Sequence, residues 1–134
     1  MSVFDTFGIA GSGLLLHRKW LDAVSDNISN INTATSTNQP AFQARYVEAQ
    51  AVDYGSGEGG VAVAGVQFGN PQGRTVYEPD NPLADQNGYV KYPDIDLSDQ
   101  MTQLIMAQRG YQANLAVVDR ATQSYQAALQ LGKH

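Results

Sequence analysis

The sequence predicts a mainly α protein with a small β insert: long N- and C-terminal helices paired as an antiparallel coiled coil, with short strands and hairpins between them. Three observations predict this. Apolar residues recur at alternating steps of three and four over both ends of the 134-residue chain, the pattern of a heptad seam. The middle loses that period and is punctuated by glycine, proline and an Asn-Gly pair. The polar faces of both ends carry few charges and, at the C-terminal end, many glutamines, which suits packing against other protein.

The first helix is expected over residues 3–32. Val3, Phe7, Ala10, Leu14, His17, Leu21, Val24, Ile28 and Ile31 follow the 4-3-4-3 spacing. Such a helix would run about 45 Å. Gly8, Gly11 and Gly13 each cost about 1 kcal/mol relative to alanine in a helix, so its early turns order on packing. Residues 33–44 form a loop that Pro40 closes to helix.

Arg45 to Val52 alternates weakly and reads as a strand. Tyr54 to Gly60 reads as a flexible turn. Val61 to Phe68 reads as a second strand with a bulge at Gly65. Arg74 to Glu78 is a short strand, and two prolines make Pro79 to Leu83 irregular. Asn87-Gly88 signals a tight turn before a last strand, Tyr89 to Tyr92. Ser98 or Asp96 caps the second helix.

That helix is expected over residues 98–131, about 50 Å long. Its seam is Met101, Leu104, Gln108, Tyr111, Leu115, Val118, Thr122, Tyr125 and Leu129. Two seams of matched length at opposite chain ends predict that the helices pair with each other, with the insert at the far end. The domain division follows: 3–32 plus 98–131 as a helical coiled-coil domain, and 33–97 as loop and β-rich insert.

Composition excludes several functions. The net charge is −5, and the acidity sits in the middle of the chain with no basic stripe, so nucleic acid is not an expected partner. There is no cysteine and there are two histidines, His17 and His134, too few for a metal cluster or thiol chemistry. Gly8 to Gly13 has the wrong glycine order for a nucleotide loop and no preceding strand. Asp85 to Gly88 reads as a turn rather than a calcium loop. No carboxylate pair stands out as glycosidase machinery. No apolar run is long enough to span a bilayer, and the N-terminus lacks the features of a cleaved secretory signal. No cofactor and no catalytic residue are expected.

Three motifs now carry a resemblance. Leu21-Asp22, Ser25-Asp26-Asn27-Ile28-Ser29-Asn30 and Asn32-Thr33 resemble the N-terminal signature of the bacterial flagellar rod and hook proteins. Arg109-Gly110-Tyr111-Gln112-Ala113-Asn114, with Leu129-Gln130-Leu131-Gly132, resembles their C-terminal signature, Gly110 standing where serine is usual. Val76 to Pro93 is similar to the proximal-rod members of that family. The motif residues are Asn27, Asn30, Asn32, Thr33, Tyr111, Ala113, Asn114, Leu131 and Gly132.

The resemblance implies a structural, non-enzymatic subunit of the flagellar basal body. It implies export through the flagellar type III apparatus without signal cleavage. It implies helical polymerisation with copies of itself and other rod proteins around the export channel, in a rod that crosses the periplasm and passes the peptidoglycan. The terminal helices would form the inner layer. The expected assembly seam is Phe7, Leu14, Leu21, Val24, Ile28, Ile31, Met101, Leu104, Tyr111, Leu115, Val118, Tyr125 and Leu129. Two other classes compete. A non-polymerising coiled-coil adaptor would carry Glu/Lys-rich outer faces, which are absent. A wall-cleaving enzyme would need a cleft with a raised-pKa carboxylate, for which no candidate stands out.

Overall fold

The protein is described by a computed structural model covering residues 2–55 and 58–133. Ser56 and Gly57 of the expected Tyr54–Gly60 turn, and His134, lie outside the described residues. The element order is α1 (Val3–Ser29), β1 (Arg45–Gly55), β2 (Glu58–Phe68), β3 (Arg74–Tyr77), β4 (Tyr89–Tyr92) and α2 (Leu97–Leu131).

Each helix starts on a side-chain cap. Ser2 Oγ accepts from the Asp5 amide, and the Asp5 carboxylate accepts in turn from the Ser2 amide at 2.8 Å. This reciprocal pair satisfies donors that a helix start leaves open. The Ser2 amide holds the Asp5 carboxyl below the usual aspartate range. Asp96 caps α2 by accepting from the Asp99 amide. α1 ends at Ser29 rather than at residue 32. Asn30 stops it: its side chain donates to the Asp26 carbonyl at 2.8 Å and its own carbonyl accepts from the Thr33 amide.

The two helices touch along much of their length, and the contacts run in opposite numerical order. The Phe4 ring meets Tyr125 edge-on, Gly13 lies against Asn114, His17 against Gly110, Trp20 donates to Gln103, and Asn27 donates to Gln100. Gly13 and Gly110 are contact points rather than weak spots. A Cβ on Gly13 would sit 2.5 Å from Asn114 Oδ1, and one on Gly110 would overlap the His17 ring. Gly8 and Gly11, by contrast, face open space. Gly110→Val is therefore expected to destabilise the chain by about 1–3 kcal/mol through overpacking, although valine is the better helix former. An unchanged or raised melting temperature would show that the helices have room to spare.

β1 and β2 form one antiparallel hairpin and β3 and β4 another. The first hairpin is longer than its sequence predicts, with pairing that reaches Gly55 and Glu58. Glu48 faces Gly65 while Ala49 faces Val63, so Ala64 is the extra residue, next to the expected bulge. The hairpin does not stand only at the far end of the helix pair. It runs back along α1, where the Val61 amide donates to Ser12 Oγ at 3.1 Å. Gly60 makes that approach close, since a Cβ there would overlap Ser12. β3 and β4 pack with the 30–44 connector around Ala41, Ala44, Val90 and Pro93. Thr35 bridges to Lys91 and the Ala41 amide donates to the Pro71 carbonyl.

The core is thin. Its buried apolar residues are Ala10, Ala23, Val24, Ala41, Ala44, Val90, Ala107 and Ala121, mostly alanines. Two of the largest fully buried side chains are amides, Gln100 and Asn27. Meanwhile Phe4, Leu15, Phe68, Ile105, Met106 and Leu131 are exposed. The accessible surface is 8872 Å². A compact monomer of 14.4 kDa would present about 6,800 Å². The excess of about 2,000 Å² is more than the roughly 800 Å² that one partner contributes to a standard protein–protein interface.

Candidate assembly surface

The assembly surface is built from the two long helices, whose sequence defines two faces on α2. The face turned to α1 carries the buried Gln100, Ala107 and Ala121 and the half-buried Leu104, Tyr111, Asn114 and Val118. Gln100, Ala107, Asn114 and Ala121 recur at heptad spacing. They lie one residue before the expected seam positions Met101, Gln108, Leu115 and Thr122. Small residues let the helix backbones approach, and the amides reach across. An apolarity count cannot see such a face; repeated Ala, Gly, Asn and Gln at heptad spacing was the signal.

The expected seam residues fall into two groups. On α1, Val24 is buried and Phe7, Leu14, Leu21, Ile28 and Ile31 are half-buried. On α2, Leu104, Tyr111 and Val118 are half-buried, whereas Met101, Leu115, Tyr125 and Leu129 are 45%, 42%, 38% and 50% exposed. Met101, Leu115 and Leu129, with Ile105, Met106 and Val117, are apolar side chains left exposed on α2, and Tyr125 meets Phe4 of α1.

Polar pairing fixes how the elements meet. Asn27 is 1% exposed. Its Nδ2 donates at 3.0 Å to both the Arg45 carbonyl and Gln100 Oε1, and its Oδ1 accepts from the Arg45 amide at 2.8 Å. One carboxamide therefore joins α1, the start of β1 and the start of α2. Arg45 adds an exposed ion pair to Asp26 at 3.1 Å. His17 Nδ1 lies 2.7 Å from the Gly13 carbonyl. A carbonyl only accepts, so Nδ1 carries the proton. Asn114 Nδ2 donates to the Gly110 carbonyl at 2.9 Å.

Of the other motif residues, Asn30 closes α1, Thr33 donates to Asn30 Oδ1, and Asn32 is exposed. Ala113 and Leu131 are exposed, and Gly132 ends α2, its amide donating to the Ala128 carbonyl. The structure brings Asn27 and Asn114 to the helix interface but not Asn32, Ala113 or Leu131. His17, Gln100 and Gln103 are interface residues that the motif reading did not single out.

The β3–β4 end is tied by side chains. The Tyr92 hydroxyl donates to the Glu78 carboxylate, about 2.9–3.0 Å from its two oxygens, which raises the phenol pKa. The Arg74 guanidinium lies over the Tyr92 ring at 5.1 Å. Asp85 Oδ1 accepts from the amides of Asn87 and Tyr89, and Oδ2 accepts from Thr37. Gly88 takes φ +86°, which favours glycine in this turn. The Tyr89 amide, foremost, holds the Asp85 carboxyl below the usual aspartate range. A carboxyl lowered on folding contributes stability above its unfolded value and loses it as pH falls through the folded value. Acidification below the ordinary aspartate range should therefore loosen the 85–89 turn before α1 and α2 separate. Amide NMR signals of Asn87 and Tyr89 that stay fixed through that range would contradict this.

Among the described residues, no group of three His, Cys, Asp or Glu side chains is placed to hold a metal ion, and no helix is long and apolar enough to cross a membrane. The most prominent groove, about 410 Å³, opens between the start of α1 and the hairpin tip, beside Phe4, Asp5, Ser12, Tyr54 and Glu58.

Two long terminal helices hold an inserted hairpin and leave apolar side chains exposed. The family described as flagellar basal body rod FlgEFG protein C-terminal matches residues 86–131. The flagellar basal-body rod protein FlgC of Salmonella typhimurium is 38% identical over 135 residues, covering 99% of this chain and all of the relative. The FlgC of Escherichia coli O157:H7 is 35% identical, again over 99% of this chain and all of the relative. The FlgC of Borreliella burgdorferi is 28% identical over 149 residues, covering 96% and 97%. The chain belongs to the FlgC family of flagellar basal-body rod proteins.

Proposed function

We propose that the chain is a structural subunit of the proximal rod of the bacterial flagellar basal body, and not an enzyme. It polymerises helically with copies of itself and other rod proteins around the channel through which flagellar proteins are exported. It reaches that site through the flagellar type III export apparatus, and the assembled rod crosses the periplasm and passes the peptidoglycan. The paired helices α1 and α2 act as an antiparallel coiled coil forming the inner layer. Residues 33–97 form the outer part. The assembly seam comprises Phe7, Leu14, Leu21, Val24, Ile28, Ile31, Met101, Leu104, Tyr111, Leu115, Val118, Tyr125 and Leu129.

The carrying observation is the surface excess of about 2,000 Å² over a compact monomer, with large apolar residues outside and alanines inside. Such a chain buries its apolar groups against neighbours. Uncharged glutamines on α2 suit a crowded inner tube. Deleting the gene should leave cells without a rod or filament, and a plasmid copy should restore both. Normally flagellated deletion cells would overturn the reading.

The same surface predicts uneven order in the free chain. Residues 123–133 are all exposed, and ordering each costs about 1–2 kcal/mol of backbone entropy. Their amides should exchange with solvent rapidly in dilute monomer, while those around Asn27 and Gln100 stay protected. Strong protection over Tyr125 to Leu131 in a verified monomer would favour a self-contained adaptor.

A further inference from the structure

We infer that the outward face of α2 beyond Arg109 docks head-to-tail on the acidic end of a second copy of this chain, guided by opposite charge. The inference rests on the rod-subunit reading and adds to it the partner and the chemistry of one contact.

Arg109 and Arg120 are both exposed on α2. They stand three helical turns apart, so they project from the same face about 16 Å from each other. Between them lie Gln112, Ala113 and Ala116, uncharged and mostly small. Asp119 is the only acid between Arg109 and the exposed Lys133. Among the described residues, the one ion pair is Asp26–Arg45, and these three cations have no carboxylate partner there.

The opposite end is acidic. Asp94, Asp96 and Asp99 are exposed around the start of α2, and Asp80 is exposed in the β3–β4 loop. The cations of this end are already engaged: Arg45 pairs with Asp26, Arg74 stacks on Tyr92, and Lys91 donates to the Gln39 carbonyl. From Asp96 to Arg120 the helix rises about 36 Å. Screening in physiological salt acts over about 8 Å. The two charged ends of one chain therefore do not neutralise each other; only a second molecule can bring them together. Asp5 and Glu58 line the hairpin groove, whereas Arg120 borders a separate groove with Val3 and Thr6 of α1.

A contact between different surfaces of identical chains is heterologous. It continues as an open helix whenever its rotation fails to close. Ala113, Ala116 and Leu131 are exposed on the same face of α2 as the two arginines and provide apolar area for the contact. Charge selects the register and the partner's end.

The test is sedimentation equilibrium of the full chain at about 0.02 M and about 0.5 M salt. Wild type should associate at low salt, and its association constant should fall about tenfold or more at high salt. The reversals Arg109→Glu with Arg120→Glu, and Asp80→Lys with Asp94→Lys, should each leave the chain monomeric at low salt. Mixing the two should restore association, because each variant then presents the charge the other lacks. Reversed variants that associate like wild type, a mixture that stays monomeric, or a wild type monomeric at low salt would each overturn the inference. Leu115→Asp separates the two ideas. If it alone blocks association, the apolar assembly surface stands and the charge-guided contact falls. If it has no effect and the chain is absent from isolated basal bodies, the rod-subunit reading itself falls.

Discussion

Replacing Leu115 by aspartate should leave the isolated chain as folded as wild type and abolish assembly. Leu115 is 42% exposed in the free chain, and surface substitutions of that kind usually change stability by less than about 0.5 kcal/mol. Against a neighbouring subunit the new carboxylate would be buried without a partner, which costs several kcal/mol. A repeating contact multiplies that loss at every subunit. Val118→Asp should also abolish assembly, but through a different step. Val118 is half-buried on the face turned to α1, so its aspartate would disturb the helix pair itself. Glu58→Ala, at the hairpin tip, should change neither. Far-UV circular dichroism of the purified chains and swimming of complemented deletion cells separate these outcomes. A motile Leu115→Asp strain with complete basal bodies would remove the outer face of α2 from the assembly surface.

The second large effect is expected at Asn27. Leucine keeps the branched frame of asparagine but ends in bulkier methyl groups, so Asn27→Leu exchanges amide chemistry for apolar bulk. It removes three hydrogen bonds and leaves the Arg45 amide, the Arg45 carbonyl and Gln100 Oε1 without their partner. Each buried group so orphaned costs about 1–3 kcal/mol. With some relaxation the loss should be about 3–5 kcal/mol, against the 5–15 kcal/mol typical of a whole domain. The urea midpoint should fall accordingly, and amide exchange at the start of β1 should quicken. Adding Gln100→Leu should recover part of the loss, because an apolar pair leaves fewer buried groups unsatisfied. A shift below about 1 kcal/mol for Asn27→Leu would mean that water takes over the role of the amide.

Much of this architecture was legible in the sequence. The heptad recurrence located both helices, Asp96 was a capping candidate, and Asn87-Gly88 located the turn before β4. The face on which the helices meet was legible only in part, through Leu104, Tyr111 and Val118. A seam drawn through Leu and Met marks what is apolar, whereas the contact runs through Gln100, Ala107, Gly110, Asn114 and Ala121, chosen for size and amide reach. The Ser2–Asp5 cap stands at the edge of the periodic stretch, where apolar spacing carries no signal. Gly59 and Gly60 read as a flexible turn, yet they lie in β2, where the lack of a side chain lets Gly60 sit on Ser12. Asn27 belonged to a recognisable motif, but its partner Arg45 is a backbone group of another element, and no spacing rule points to that. Among the assembly residues, exposure divides Met101, Leu115 and Leu129 from Leu104, Tyr111 and Val118, a division that only the helix pairing creates.

The most direct measurement is electron cryomicroscopy of isolated basal bodies at a resolution that traces helices. The account predicts density for this chain within the rod. The α1–α2 pair should lie innermost, around the channel, with the exposed face of α2 against neighbouring subunits and the β1–β2 hairpin outermost. Density for the chain outside the rod, or helices on the rod's outer surface with the hairpin toward the channel, would contradict it.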